Sequence, residues 1–237
     1  MKLGIMQPYF VPYIGYWQLM NLVDQYVIYD DVNFIKGGWI NRNRILVNGV
    51  PKYFNVPMLG ASSNVLINEV KVDHNEAIIR KSLRSIEGAY SKAPYFESVY
   101  PMLEAILWCE EESIARYIEN SFRVIGKYLD IQTELIFSSD IEKDNNLKGQ
   151  DKVLAICRQL NATEYYNAIG GQELYSYEAF RKYGIQLNFV KTQDIVYDQF
   201  GKEFQPNLSI IDVLMFSAKD KVKDYLKAYI LISEQEC

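Results

Sequence analysis

Short apolar runs alternate with helix-length stretches at both ends of this chain, and no other feature restricts its fold so strongly. Leu3 to Met6 is an apolar run that ends at Gln7-Pro8, Gly15 to Val23 carries apolar residues at helical spacing, and Tyr26 to Tyr29 is apolar again before Asp30-Asp31. A strand, loop, helix and strand in that order predict two parallel strands joined by a crossover. The pattern returns later, with a strand at Leu135-Ile136-Phe137, a helix over 151–160, a strand over 164–167, a helix over 177–183 closed by Gly184, and a strand over 185–190. Strands separated by helices of this length predict an α/β fold with a Rossmann-like parallel sheet.

The middle interrupts that alternation. Ile45-Leu46-Val47 and the run 51–56 flank Asn48-Gly49, the strongest short-range hairpin signal, and a further strand is predicted over 65–72. Three helical faces follow, through Ala77, Ile78, Leu83 and Ile86, then Met102, Leu103, Ile106 and Leu107, then Ile114, Ile118, Ile125 and Leu129. Pro101 suits the first turn of the second helix. The expected organisation is a single α/β domain over 1–237 with a hairpin and helical insertion over 41–130. After 190, residues 208–223 predict a terminal helix or helix pair, with Ser209 and Asp212 spaced as a capping box. Residues 138–150 read as a long polar loop, of a length that suits function.

Composition excludes several classes. With 25 Lys and Arg against 30 Asp and Glu, the net charge of −5 argues against a broad cationic footprint for nucleic acid. No apolar run reaches the roughly 18 residues that cross a bilayer, and the start turns polar too early for a signal peptide, so a soluble cytoplasmic protein with no membrane partner is expected. Cys109, Cys157 and Cys237 are odd in number and far apart, and the first two sit in apolar helical patterns, which favours buried thiols over disulfides. His74 is the single histidine, so no metal site is indicated, and no cofactor is named by the sequence. Its polar surroundings suit a surface or capping role better than catalysis.

Candidate chemistry gathers at a few strand-to-helix connections. In Gln7-Pro8-Tyr9-Phe10-Val11-Pro12-Tyr13-Ile14-Gly15-Tyr16 two prolines stiffen the loop, and Gly15 allows close backbone approach. In an open α/β sheet ligands sit here, beyond the carboxyl end of a strand and before a helix N-terminus. Asp30 and Asp31 follow the second strand, so pleat alternation sends their carboxylates to opposite faces. Either one is a candidate base, and an Asp turn or helix cap reads equally well. Lys36, Arg42 and Arg44 with Asn41 and Asn43 supply cations and amides beside Trp39, the donor set that binds phosphate. Lys148 and Gly170-Gly171, at connections of the second half, would complete the site, although a plain turn would look the same. Ser209 is more simply a helix cap than a nucleophile.

Several of these strings together resemble the WbqC-like family: Gln7-Pro8-Tyr9-Phe10 with Pro12-Tyr13-Ile14-Gly15-Tyr16, Asp30-Asp31-Val32, Gly38-Trp39-Ile40-Asn41-Arg42-Asn43, and Leu208-Ser209-Ile210-Ile211-Asp212. The likeness runs from Met1 to about Phe216. Members occur in bacterial O-antigen and related surface-polysaccharide gene clusters, and an amino-acid (glycine) transferase role onto a sugar has been suggested. The resemblance thus implies a pathway more firmly than a reaction. Tyr13-Ile14-Gly15-Tyr16 also has the spacing of the His-x-Gly-His signature of a class of nucleotidyltransferases, with tyrosine at both histidine positions. A phenol is neutral at pH 7 and brings no positive charge to a phosphate.

The activity implied is transfer of an acyl group, aminoacyl such as glycyl, to the amine of a nucleotide-linked amino sugar. Such a reaction needs a base, donors for the developing oxyanion, and positioning of both substrates. Asp30 or Asp31 would be the base, and Gln7, Tyr13 or backbone N–H groups near Gly15 the oxyanion donors. Lys36, Arg42 and Arg44 would hold phosphates, with Tyr9, Tyr16, Asn41, Asn43, Lys148, Gly170 and Gly171 completing the substrate site. The acyl donor stays open among an aminoacyl-tRNA, a thioester, and an amino acid with ATP, although the acidic balance works against extensive RNA contact. A nucleotidyltransferase-like enzyme and a non-catalytic nucleotide-sugar binding protein are the rivals.

Overall fold

In the computed structural model, which describes residues 1–201 and 203–234, the opening segment forms β1 (Lys2–Met6), α1 (Ile14–Leu22) and β2 (Gln25–Ile28). The chain then leaves the sheet for the antiparallel hairpin β3 (Arg42–Val47) and β4 (Val50–Asn55), the short pair β5 (Met58–Leu59) and β6 (Lys71–Val72), and the helices α2 (Glu76–Tyr90), α3 (Phe96–Leu107) and α4 (Ile114–Leu129). It returns as β7 (Glu134–Phe137), α5 (Gly149–Gln159), β8 (Glu164–Ala168), α6 (Tyr177–Arg181) and β9 (Gln186–Thr192), and closes with α7 (Ile210–Phe216), α8 (Lys219–Tyr225) and β10 (Tyr229–Ser233).

The main sheet runs β10-β9-β8-β1-β2-β7, parallel throughout except for β10. Counted along the chain, its parallel strands β1, β2, β7, β8 and β9 lie in the spatial order third, second, first, fourth, fifth. The chain therefore reverses its direction of travel across the sheet between β1 and β8, and a crevice opens there at the strands' carboxyl ends. Pleat alternation divides the core. Tyr26 and Ile28 join Trp17, Phe54, Ile86 and Phe122 on one face, whereas Leu3, Ile5 and Val27 join Val153, Ile156 and Phe180 on the other. Residues Ile14 to Met20 of α1 are all buried, because that helix lies between the sheet and the inserted elements and needs no polar stripe. Among the described residues no helix is long and apolar enough to cross a membrane.

Asn48 and Gly49 both take positive φ, 53° and 73°, as the tight hairpin turn requires. Four details depart from the sequence expectations. Residues 65–72 do not form one strand: Val65 and Ile67 bond to the 32–34 segment, Ile67–Glu69 is a 3₁₀ turn, and only Lys71–Val72 is extended against β5. Pro101 lies inside α3, beyond its first turn, on an exposed side where the freed Glu97 carbonyl meets solvent. Cys157 is buried, whereas Cys109 is half-buried just past the end of α3, and Cys237 lies outside the described residues. Asp212 caps nothing. Ser209 Oγ accepts from Ile211 N at 3.3 Å, while the Asp212 carboxylate turns inward to Tyr90 and Tyr197, because those buried phenols offer it stronger donors than its own helix end.

Candidate functional site

The loop between β1 and α1 is held in a conformation its sequence does not favour. Val11 has φ 38°, a left-handed value that a β-branched residue rarely adopts. Its carbonyl accepts from Ser209 Oγ at 2.6 Å and Asn43 Nδ2 at 2.8 Å, and the Pro12 carbonyl accepts from Trp17 Nε1 at 3.1 Å and Ile210 N at 2.9 Å. The hairpin and α7 thus clamp the loop and fix where its side chains go.

Those side chains line a cavity of about 810 Å³ at the crevice between β1 and β8. Met6 and Gln7 approach from the end of β1, Asn167 and Ala168 from the end of β8, and Gly149 and Gln150 from the start of α5. Aromatic rings supply much of the wall, from Tyr9, Tyr13, Tyr16, Tyr29, Trp39 and Tyr175. Tyr9 and Tyr16 stack at 5.3 Å, and Tyr16 donates to the Gln7 carbonyl. Burial pushes the Tyr9, Tyr13, Tyr16 and Tyr29 phenols above their ordinary value, so they serve as neutral hydrogen-bonding groups near pH 7.

Charge is sparse and of one sign. Among the described residues lining the cavity there is no Asp, Glu, Lys or His, and Arg44 is the one ionised side chain. Its guanidinium lies 5.5 Å from the Trp39 ring centroid and donates to the Asn207 carbonyl at 3.3 Å, while its buried Nε has no hydrogen-bond partner. The starts of both α1 and α5 lack a side-chain cap, and residues of both line or border the cavity. Uncapped N–H groups, two helix dipoles and one guanidinium without a carboxylate partner among the described residues favour an anion.

The structure gathers Gln7, Tyr9, Tyr13, Tyr16, Asn43, Arg44, Gly170 and Gly171 in that lining and leaves other candidates elsewhere. Arg42 stacks 4.7 Å over Tyr53 and donates to the carbonyls of Gly37 and Gly38, so it braces the hairpin approach. Asn41 donates to the Val56 carbonyl at 2.9 Å. Lys36 and Lys148 are exposed and outside the lining. His74 is exposed, with Nε2 3.1 Å from the Glu111 carbonyl oxygen.

Asp30 and Asp31 also lie outside the lining. Asp30 is buried and accepts from Ser139 N at 3.0 Å and Ser139 Oγ at 2.7 Å. Asp31 lies 2.8 Å from Lys143 Nζ and 3.0 Å from Lys152 Nζ and accepts from Ser138 Oγ at 2.6 Å. Burial pushes its carboxyl up, but the bonds from Lys143, Ser138 and Lys152 outweigh burial and hold it below the ordinary value. A weakly basic carboxylate pinned by two ammonium groups is poorly suited to take a proton from substrate. Tyr29, Asn167, Tyr175 and Asn207 line the cavity without having been singled out in the sequence; Asn167 follows from its place at the carboxyl end of β8.

Gly15 borders the cavity without lining it. A Cβ there would lie 2.4 Å from Thr192 Oγ1 of β9 and 2.5 Å from the Tyr13 ring. Gly15→Ala is therefore expected to cost about 1–3 kcal/mol of stability and to push Tyr13 from its position, weakening whatever ligand the cavity holds. Urea unfolding together with ligand titration checks this; unchanged stability with unchanged binding would contradict it.

The description of the WbqC-like protein family matches residues 7–224, a stretch that includes all the lining residues except Ile5 and Met6. The uncharacterized protein Rv1507c of Mycobacterium tuberculosis is 29% identical over 231 residues, covering 95% of this chain and 97% of that protein. No solved structure matches.

Proposed function

Because the chain belongs to the WbqC-like protein family, we propose that it is a transferase of surface-polysaccharide biosynthesis acting on a nucleotide-linked amino sugar bound in the cavity between β1 and β8. The observation that carries this is the pairing of an aromatic wall with a single guanidinium, Arg44, whose Nε has no hydrogen-bond partner, and two uncapped helix starts. Planar rings suit a nucleobase, and the Arg44 end with the helix starts suits a diphosphate. A wall free of carboxylates avoids repelling it.

The group transferred is acyl, such as an aminoacyl group. The substrate amine attacks the acyl carbonyl carbon, a C–N bond forms, the bond to the leaving group breaks, and the amine proton departs to the leaving group or solvent. In this reading the Gln7 carboxamide and backbone N–H groups at Gly170-Gly171, residues of the lining, donate to the developing oxyanion. With Asp30 and Asp31 outside the lining, the amine arrives already neutral. A second reading, nucleotidyl transfer, is favoured by the same lack of a base, since phosphoryl-type transfer runs on positioning and charge stabilisation. Pyrophosphate release from a nucleoside triphosphate would select it.

Arg44→Gln is expected to weaken binding of a nucleoside diphosphate by about 10- to 100-fold, the worth of a charged hydrogen bond. Calorimetric titration of both proteins measures it. A wild type that binds neither nucleoside diphosphates nor nucleotide sugars, or a variant that binds them equally well, overturns the proposal.

A further inference from the structure

A second cleft of about 370 Å³ lies on the other side of the β2 terminus, where Tyr29 lines the first cavity and Asp30 the second. Its wall combines Asp30, Asn68, Glu69 and Ser139 with Ser113, Ala115 and Arg116 at the start of α4. The two neighbouring aspartates differ in one respect. Asp31 has two lysines, whereas Asp30, only 2% exposed, is bonded to Ser139 alone and has no ion-pair partner among the described residues. Burial raises its carboxyl above the ordinary value, against the bonds from Ser139 that lower it. Beside it, Asn68 Oδ1 is shut off from solvent with no donor to satisfy it, a costly state for a carbonyl-type oxygen. Asp30 thus lines the cleft without a cationic donor, next to an acceptor that has no partner.

The α4 start, also in the wall, has the converse need. α4, sixteen residues long, follows Ser113, whose Oγ makes no cap bond to the helix and donates to the Asn68 carbonyl at 3.2 Å. Arg116 rests 4.8 Å over the Phe137 ring and forms no ion pair among the described residues. Helix N–H groups and a free guanidinium suit an anion.

We propose that this cleft is a second ligand site, which takes a small zwitterion with its ammonium on the Asp30 and Glu69 side and its anionic group against the α4 start and Arg116. The proposal is independent of what the first cavity binds.

L-alanine and taurine are the zwitterionic probes, with methylammonium and acetate as single-headed controls, followed by calorimetry and by the shift in unfolding temperature. At least one zwitterion is expected to bind and to raise the unfolding temperature, with each control weaker by about tenfold or more, since each forfeits one set of charged bonds. Arg116→Gln, at an exposed position, should keep the fold and lose about tenfold in affinity for that zwitterion, while Arg44→Gln should leave it unchanged. Asp30→Asn should also lose affinity, and Arg116→Gln keeps the test valid if that buried variant fails to fold. No binding of either zwitterion to the wild type overturns the proposal. So does binding that survives Arg116→Gln, or binding that Arg44→Gln abolishes, which would assign the ligand to the first cavity.

Discussion

Asp31→Asn is expected to destabilise the protein by about 3–5 kcal/mol, because it removes the one carboxylate that separates two buried ammonium groups. The Lys143 and Lys152 side chains are 2% and 5% exposed, and both reach the same Asp31 oxygen. Already in the wild type two positive charges face one negative, so the variant leaves both lysines uncompensated in a poorly solvated site. Lys152 belongs to α5, whose first residues line the cavity, so the pair also anchors that helix start against the end of β2. Urea unfolding should show a lower midpoint with an unchanged slope. Adding Lys143→Met to Asp31→Asn should recover part of the loss, since the two sites share one interaction. The pH dependence follows from the lowered carboxyl of Asp31. Its contribution is fully present above the ordinary aspartate value of about 3.9 and disappears as pH falls through its lower folded value, so Asp31→Asn should flatten the acid limb of the stability curve. Turnover per folded molecule should persist. A loss of about 10²- to 10⁴-fold in rate with stability intact would instead make Asp31 the general base.

The sheet was legible in the sequence because β1, β2, β8 and β9 are buried along their middles on both faces and stand as short strand-length runs between helices. β10 was not, since Ile230 and Leu231 are 45% and 46% exposed at the sheet edge and resemble the tail of a helix. The cavity's position matches the Gln7–Tyr16 loop, although a proline-stiffened turn with tyrosines packed on the core would have read the same way. Its electrostatics did not follow. Three cations within 36–44 suggested one phosphate grip, yet Arg42, on the same face of β3 as Arg44, is held over Tyr53 and by the Gly37 and Gly38 carbonyls while Arg44 reaches the cavity. Asp30 and Asp31 looked like one acidic pair, and what separates them is the partner each meets from a distant segment: Ser139 for one, Lys143 and Lys152 for the other. Sequence spacing carries no record of contacts more than a hundred residues apart.

Such a distant contact also controls the roof of the cavity, and Asp212→Ala is the variant expected to open it. The Asp212 carboxylate is fully buried and accepts from Tyr90 OH at 2.8 Å, Tyr197 OH at 2.8 Å and Gln199 Nε2 at 2.6 Å. Tyr90 OH in turn accepts from Leu46 N at 2.9 Å, and Gln199 Oε1 accepts from Gln205 N at 2.8 Å, so one carboxylate ties α2, the hairpin and the segment before α7 together. Each buried donor left without its acceptor costs about 1–3 kcal/mol, and two phenols lose theirs at once, which predicts a loss of about 2–6 kcal/mol. Tyr197→Phe in the same background should add little, because its hydroxyl is already stranded. Burial raises the Asp212 carboxyl above its ordinary value, against the bonds from Tyr197, Tyr90 and Gln199 that lower it. A raised folded value favours the native state at low pH and loses that advantage as pH rises through it, the reverse of Asp31, so Asp212→Ala should remove a stability decline between the ordinary aspartate value and the raised folded one. Because Asn207 of the tied segment lines the cavity and its carbonyl holds Arg44, loss of the tie should also weaken nucleoside diphosphate binding in the molecules that remain folded. Unfolding curves and titrations on Asp212→Ala test both effects, and a variant with wild-type stability would show that the three donors find other acceptors.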